Sequence, residues 1–261
     1  MKTFTLAVCV AVAFTATALA GQWQRQGRNF VLAVGQEQIT YEPPGTISVG
    51  TKGEAGIRVA IFLWHDNWIY ERLDGGQVSS GPELDERGWI RQAGTWVVRG
   101  QAPPMKYALA IEPKATGAVM HLETEKTAEL KLNSGLWCTL SLDRQAFSGR
   151  RVYARPTAHG PVGTAVSGMC DALLIELADG KAAAFSGEGF RQVRSRLSDR
   201  SQGFEMNFHP SDFGVGEKAK TSLKIGFEQM PAEFPGEVKP RREKLEIAGV
   251  SPSTGAVAQY G

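Results

Sequence analysis

Along most of this chain apolar and polar residues alternate one for one, and that periodicity limits the fold more than any other feature. Tyr107, Leu109 and Ile111 alternate with small residues. Phe204, Met206 and Phe208 alternate with Glu205 and Asn207, and Leu223, Ile225 and Phe227 with Ser222, Lys224 and Gly226. Successive side chains of a strand point to opposite faces, so these segments read as half-buried antiparallel strands. Ala128, Leu130 and Leu132, alternating with Glu129 and Lys131, read the same way. Two runs are apolar on both faces, 59–64 and 172–175 with Leu177, and read as central strands. Asp179-Gly180 is a hairpin signal because that dipeptide tolerates positive φ, and Asp74-Gly75-Gly76 is a second turn signal. No segment carries a sustained helical repeat. The expectation is an all-β fold, a large antiparallel β-sandwich.

Composition narrows the class further. A chain that is 42% hydrophobic and 21% charged is ordinary for a globular protein and excludes a disordered or disulfide-dense one. Lys and Arg number 29 against 27 acids, a net charge of +2, so no global field argues for nucleic acid or an anionic membrane as partner.

Residues 1–20 read as a signal peptide. Met1-Lys2 supplies the positive start, 3–19 is uncharged and rich in Ala, Val and Leu, and Ala18-Leu19-Ala20 offers small residues for cleavage after Ala20. The rival is an uncleaved anchor, for which the run is short and diluted by four threonines. A secreted or periplasmic location is therefore expected, with no membrane span after cleavage. Cys138 and Cys170 would remain. They could pair in an oxidising compartment, which would contribute roughly 3–4 kcal/mol, or stand as separate buried thiols. Cys138 shares the apolar face of its strand with Leu136, Leu140 and Leu142.

The expected organisation places the β-sandwich domain at 21–230. A Pro-rich charged run, MPAEFPGEVKPRR from Met230, makes 231–243 a linker, and strand character resumes over 244–261 as the start of a second β module or a tail.

Two resemblances sit on these segments. Residues 41–227, through SGLWCTLSLD (134–143), FSGRRVYARP (147–156) and LLIELADGKAAAF (173–185), resemble the galactose-mutarotase-like β-super-sandwich of secreted bacterial carbohydrate-active proteins. The tail KLEIAGVSPSTGAVAQYG looks like the opening of the immunoglobulin-like module that often precedes a glycoside hydrolase barrel. Together they imply a carbohydrate-associated module, with no hydrolase activity carried over, because no barrel sequence follows.

Four of the six tryptophans, Trp64, Trp68, Trp89 and Trp96, fall within 33 residues. Sugar rings stack their C–H faces on aromatic rings while carboxylates bond the hydroxyls. Trp64, Asp66, Trp68, Glu71 and Trp89 are accordingly the candidate carbohydrate-binding residues, although Trp64 also fits a core position. ELDERG (83–88) is similar to the acid-rich strand of laminarinase-type glycosidases, but Arg87 occupies the place of the third acid, and turn chemistry explains the run more simply. His65, His121, His159 and His209 are scattered, and spacing alone pairs none of them with an acid. No HExxH or CxxC spacing suggests a metal, and no cofactor is implied. Arg191, Arg194, Arg196 and Arg200 form a basic patch that suits an anionic glycan or a solvated face paired with Glu188, Asp199 and Glu205.

The expected function is thus a secreted carbohydrate-associated β-sandwich module, an accessory or glycan-binding part of a glycoside hydrolase system. The alternatives are a stand-alone glycosidase, polysaccharide lyase or aldose epimerase on the same scaffold, and a structural envelope protein. Catalytic residues are not identifiable from the sequence.

Overall fold

The structure, a computed structural model, describes residues 21–65, 69–96, 105–178, 180–207 and 212–234. The expected signal peptide, Asp66, Trp68, Phe208, His209 and the proposed second module at 244–261 lie outside the described residues.

The strands follow in order as β1 (Trp23–Gln26), β2 (Asn29–Val34), β3 (Glu37–Glu42), β4 (Thr46–Thr51), β5 (Ile57–His65), β6 (Ile69–Arg72), β7 (Gln77–Leu84), β8 (Ile90–Trp96), β9 (Met105–Lys114) and β10 (Gly117–Lys126). Then come β11 (Leu132–Asp143), β12 (Arg151–Pro156), β13 (Ala158–Pro161), β14 (Gly168–Glu176), β15 (Lys181–Gly187), β16 (Gln192–Leu197), β17 (Ser201–Asn207) and β18 (Lys218–Gln229). Every pairing is antiparallel. The first sheet runs β1-β2-β3-β4-β5-β11-β17-β16, with β6 beside the end of β5 that β4 leaves uncovered. The second runs β7-β8-β9-β10-β18-β15-β14-β12-β13. β14 joins the two, pairing with β16 of the first sheet through Gly168 and Met169 before it enters the second. This is the large antiparallel β-sandwich that the alternation predicts.

The inner faces meet in one core. Leu32, Ile39, Tyr41, Val59 and Leu140 of the first sheet pack in it with Ile90, Leu109, Leu122, Phe185 and Leu223 of the second. A buried polar cluster crosses the interface. Tyr41 Oη donates to Gln92 Oε1 at 2.7 Å, and Gln92 Nε2 donates to Pro44 O at 2.7 Å and Tyr107 Oη at 2.8 Å. Burial pushes the Tyr41 phenol up, so it stays a neutral donor. A second tie joins Lys181 Nζ of β15 to the buried Glu37 Oε2 of β3 at 3.0 Å.

Several details differ from the sequence expectation. The 59–64 run is central, but its second apolar face is not core. Val59, Ile61 and Leu63 point inward, while Phe62 and Trp64 turn outward and pack edge-on, with centroids 5.6 Å apart. Residues 127–131 form no strand. They connect β10 of the second sheet to β11 of the first, and Leu130 is buried at that crossing. The described residues of the expected linker, 231–234, follow directly on the domain's expected last residue. Met230 is buried, and Phe234 stacks on His159 with centroids 4.3 Å apart. Cys138 and Cys170 are both buried free thiols. Burial pushes both thiols up, Cys170 to about 11. Both should therefore resist an aromatic disulfide reagent at neutral pH in the native protein and react once it is denatured.

Arg151 of β12 holds Glu176 of β14 through Nε and Nη2 at 3.0 and 2.8 Å, and its Nη1 donates to Pro231 O at 3.1 Å. The guanidinium keeps the Glu176 carboxyl below the usual carboxylate range. A depressed folded value adds stability above the unfolded value, and that stability is lost as pH falls through the folded one. Glu176→Gln should cost about 1 kcal/mol at pH 7, and the gap to wild type should close as the pH falls below about 4. Urea unfolding across that range measures it.

Candidate functional site

Outward side chains of neighbouring strands line up in rows, and in the second sheet two such rows form a groove. One row runs Glu83, Arg91, Ala110, His121, Ser222 across β7, β8, β9, β10 and β18. The next runs Ser80, Ala93, Ala108, Glu123, Lys220 on the same strands. Alanines on the middle strands leave a low floor between longer side chains, so a depression of about 670 Å³ opens there, with Glu188 on its margin.

Trp89 forms its wall. The indole lies parallel to the His121 imidazole, with centroids 5.9 Å apart and planes 12° apart, and the Arg91 guanidinium sits 4.7 Å from the indole centroid. Glu112 Oε2 is 3.6 Å from His121 Nε2. This is the acid partner for a histidine that spacing alone could not supply.

ELDERG builds the turn that aims Trp89. Asp85 Oδ1 accepts from the backbone N–H of Arg87 and of Trp89, both at 2.9 Å, and the Gly88 N–H donates to Asp85 O at 2.8 Å. Asp85 Oδ2 accepts from Arg91 Nε at 2.8 Å, and that bond, more than the backbone ones, holds the carboxyl below the usual range. Asp85 of this run therefore shapes the loop, as turn chemistry predicts, while Glu83 lines the groove. On the far side, Lys218 and then Lys220 hold the Glu123 carboxyl low through contacts of 2.8 and 3.3 Å. Arg91 is thus neutralised by Asp85, and Lys220 shares the Glu123 carboxylate with Lys218. Glu83 and Glu188 have no cationic partner among the described residues.

Of the five residues singled out from the sequence, Trp64, Glu71 and Trp89 are among the described residues, and these three do not share one face. Trp89 is in the groove. Trp64 lies on the outer face of the first sheet against Tyr70, with centroids 5.3 Å apart. Glu71 belongs to β6 beside it, 3.9 Å from the buried His65 Nε2. Trp96 is in the core and donates its indole N–H to Glu71 O at 3.1 Å. The reason is topological. The chain leaves the first sheet after β6 and enters the second at β7, so aromatics close in sequence end on opposite faces of the sandwich. Sequence reading missed Arg91, Glu112, Glu123 and Lys220 as parts of a site. Ala108 and Ala110 at outward positions of β9 were the available signal, because small outward residues on a middle strand make a floor.

Among the described residues no group of three or more His, Cys, Asp or Glu is placed to hold a metal ion. No helix there is long and apolar enough to cross a membrane.

The groove edge depends on a glycine. β7 slips register twice against β8, between Val78 and Ser80 and between Ser80 and Glu83. Gly81, at φ +76°, sits in the second slip, where a Cβ would lie 2.3 Å from Arg91 O. Gly81→Ala should cost about 1–3 kcal/mol and lower the thermal midpoint by several degrees, read by circular dichroism melting.

No protein-family model matches this sequence, and a search of curated proteins finds no match either. Among solved structures, a galactose mutarotase-like protein from Clostridium acetobutylicum superposes on it with a TM-score of 0.52 at 7% identity. The match covers 77% of this chain and 95% of that one. It gives no support to an immunoglobulin-like start at 244–261. At this identity the likeness shows the fold, a galactose mutarotase-like β-sandwich.

Proposed function

We propose that this protein binds neutral saccharide in the groove on the outer face of the second sheet, as an accessory, carbohydrate-associated module exported to the periplasm or beyond. The observation that carries the reading is the Trp89–His121 wall standing over the Ala108–Ala110 floor. A pyranose can set its C–H face against the aromatic edge while Glu83, Glu188 and Ser80 accept and donate to its hydroxyls. The cations are already paired with Asp85 and Glu123, which disfavours an anionic ligand in this groove. Export rests on the residue 1–20 pattern alone.

A second reading has its own observation. His121 lines the groove, and behind it Glu112, which also pairs with Lys114, lies 3.6 Å from its Nε2; a carboxylate–imidazole pair is the type of group an aldose epimerase uses to move a proton at the ring oxygen or the anomeric hydroxyl. Polarimetry with freshly dissolved aldoses separates the two. Accelerated mutarotation that is lost in His121→Ala makes the protein an enzyme, and binding without acceleration makes it a module.

The binding reading is tested by affinity electrophoresis on neutral polysaccharides. At least one should retard the wild type, and Trp89→Ala should weaken that retardation about tenfold, the loss of about 1.4 kcal/mol of stacking and contact. A folded wild type retarded by none of them overturns it.

A further inference from the structure

The first sheet carries a second pocket whose chemistry is opposite to that of the groove, and we propose that it is a binding site for an oxyanion group carried on a saccharide: a sulfate or phosphate ester or a uronate. It is a depression of about 370 Å³ on the outer face, lined by Thr46, Arg58, Ala60, Arg72, Thr139 and Ser141. Register explains the set. Ala60 of β5 lies between Thr46 of β4 and Thr139 of β11, and Arg58 lies beside Ser141. Ala60 is the floor, and the three hydroxyl residues and the two arginines surround it.

The charge on this pocket is not cancelled within it. Arg72 is held by Asp74 through bonds of 3.0 and 2.6 Å, and Thr46 Oγ1 donates to the same carboxylate at 3.2 Å. Asp74 therefore neutralises one arginine. Arg58 has no carboxylate partner among the described residues and is exposed. The same rows continue across β17 to β16, where Arg196 follows Gly203 opposite Ser141, and Arg194 follows Glu205 opposite Thr139. Glu205 Oε1 takes Arg196 at 2.6 Å, which leaves Arg194 as a further outward cation on this face. Thr46 Oγ1 is taken by Asp74, and Thr139 Oγ1 donates to Ala60 O at 3.5 Å, so the pocket offers the forked Arg58 cation beside the Ser141 hydroxyl, a donor set that fits two or more oxygens of one oxyanion better than a single carbonyl.

The carrier is argued from the neighbouring rings. One step further along the same two strands the outward side chains are Phe62 and Trp137, stacked with centroids 6.5 Å apart and planes 23° apart. Tyr70 stands 5.8 Å from Phe62 and is 55% exposed. An oxyanion held by Arg58 would place the ring that bears it toward these aromatics. Naming that ring a sugar rests on the carbohydrate reading above. The anion chemistry does not.

Dextran sulfate and unsulfated dextran, compared at one fixed ionic strength, test the proposal, with polygalacturonate as the carboxylate arm. Wild type should bind at least one anionic polymer at least tenfold more tightly than dextran, and Arg58→Gln should remove at least tenfold of that affinity. Arg28→Gln removes the same charge from an exposed turn and should change it less than twofold. Equal losses in the two variants would reduce the binding to diffuse attraction and overturn the site, as would an Arg58→Gln variant that binds like wild type. Inorganic sulfate should displace the polymer from wild type, and failure to do so at millimolar concentration overturns the oxyanion assignment. Arg58 and Trp89 lie on opposite sheets, so loss of neutral-glycan retardation in Trp89→Ala and loss of polyanion binding in Arg58→Gln report the two sites separately.

Discussion

The contact between the two inner faces is what the rest of this molecule depends on. Each strand buries one row of side chains against the opposite sheet, and the row on its other face is then free to serve a different purpose. The core residues Leu109 and Ile111 of β9 fix where Ala108 and Ala110 point, just as Val59 and Ile61 of β5 fix Ala60. Both candidate pockets are therefore by-products of core packing. Their floors are outward positions on central strands that hold alanine.

Polar ties set how the sheets lie on one another. Apolar packing is non-directional, whereas the Tyr41–Gln92–Tyr107 cluster has directed bonds that only one sliding position satisfies. Gln92 is the inward neighbour of Arg91 and Ala93, so the cluster that pins β8 from inside also places the groove wall on the outside. Glu37 and Lys181 act similarly between β3 and β15. Buried donors and acceptors lost from either tie would cost more than the bonds contribute in net terms.

The two outer faces differ in electrostatics. On the second sheet the groove cations Arg91 and Lys220 are each paired with an acid, Asp85 and the Glu123 that Lys218 shares, and Glu83 and Glu188 lie in the groove without a cationic partner among the described residues. On the first sheet the balance runs the other way, with Arg58 and Arg194 left without acids among the described residues. A molecule with net charge near zero can thus present two surfaces of different selectivity, because exposed charges act over about 8–10 Å at physiological ionic strength and not across the sandwich.

Much of the fold was legible in the chain before any coordinates. The alternation at 107–111 and 223–227 placed inward and outward residues correctly, the 172–177 run announced a strand buried on both faces, and Gly180 marked the hairpin that the β14–β15 pairing contains. Those signals are local, because a strand's period is a property of the strand itself. The alternation at 128–132 misled because a crossing segment can bury a single apolar residue, Leu130, without pairing, while Ala128 stays exposed. The sites were mostly not legible. Trp64 and Trp89 are 25 residues apart and look like one cluster, yet the chain changes sheets between them. His121 meets Glu112 only through the β9–β10 register, and Arg58 meets Thr139 and Ser141 only through the pairing of β5 with β11. The amino-acid sequence by itself determined the strands and which of their faces is apolar. Only the tertiary structure decided which outward rows stand side by side, because that depends on long-range strand pairing that no local pattern encodes.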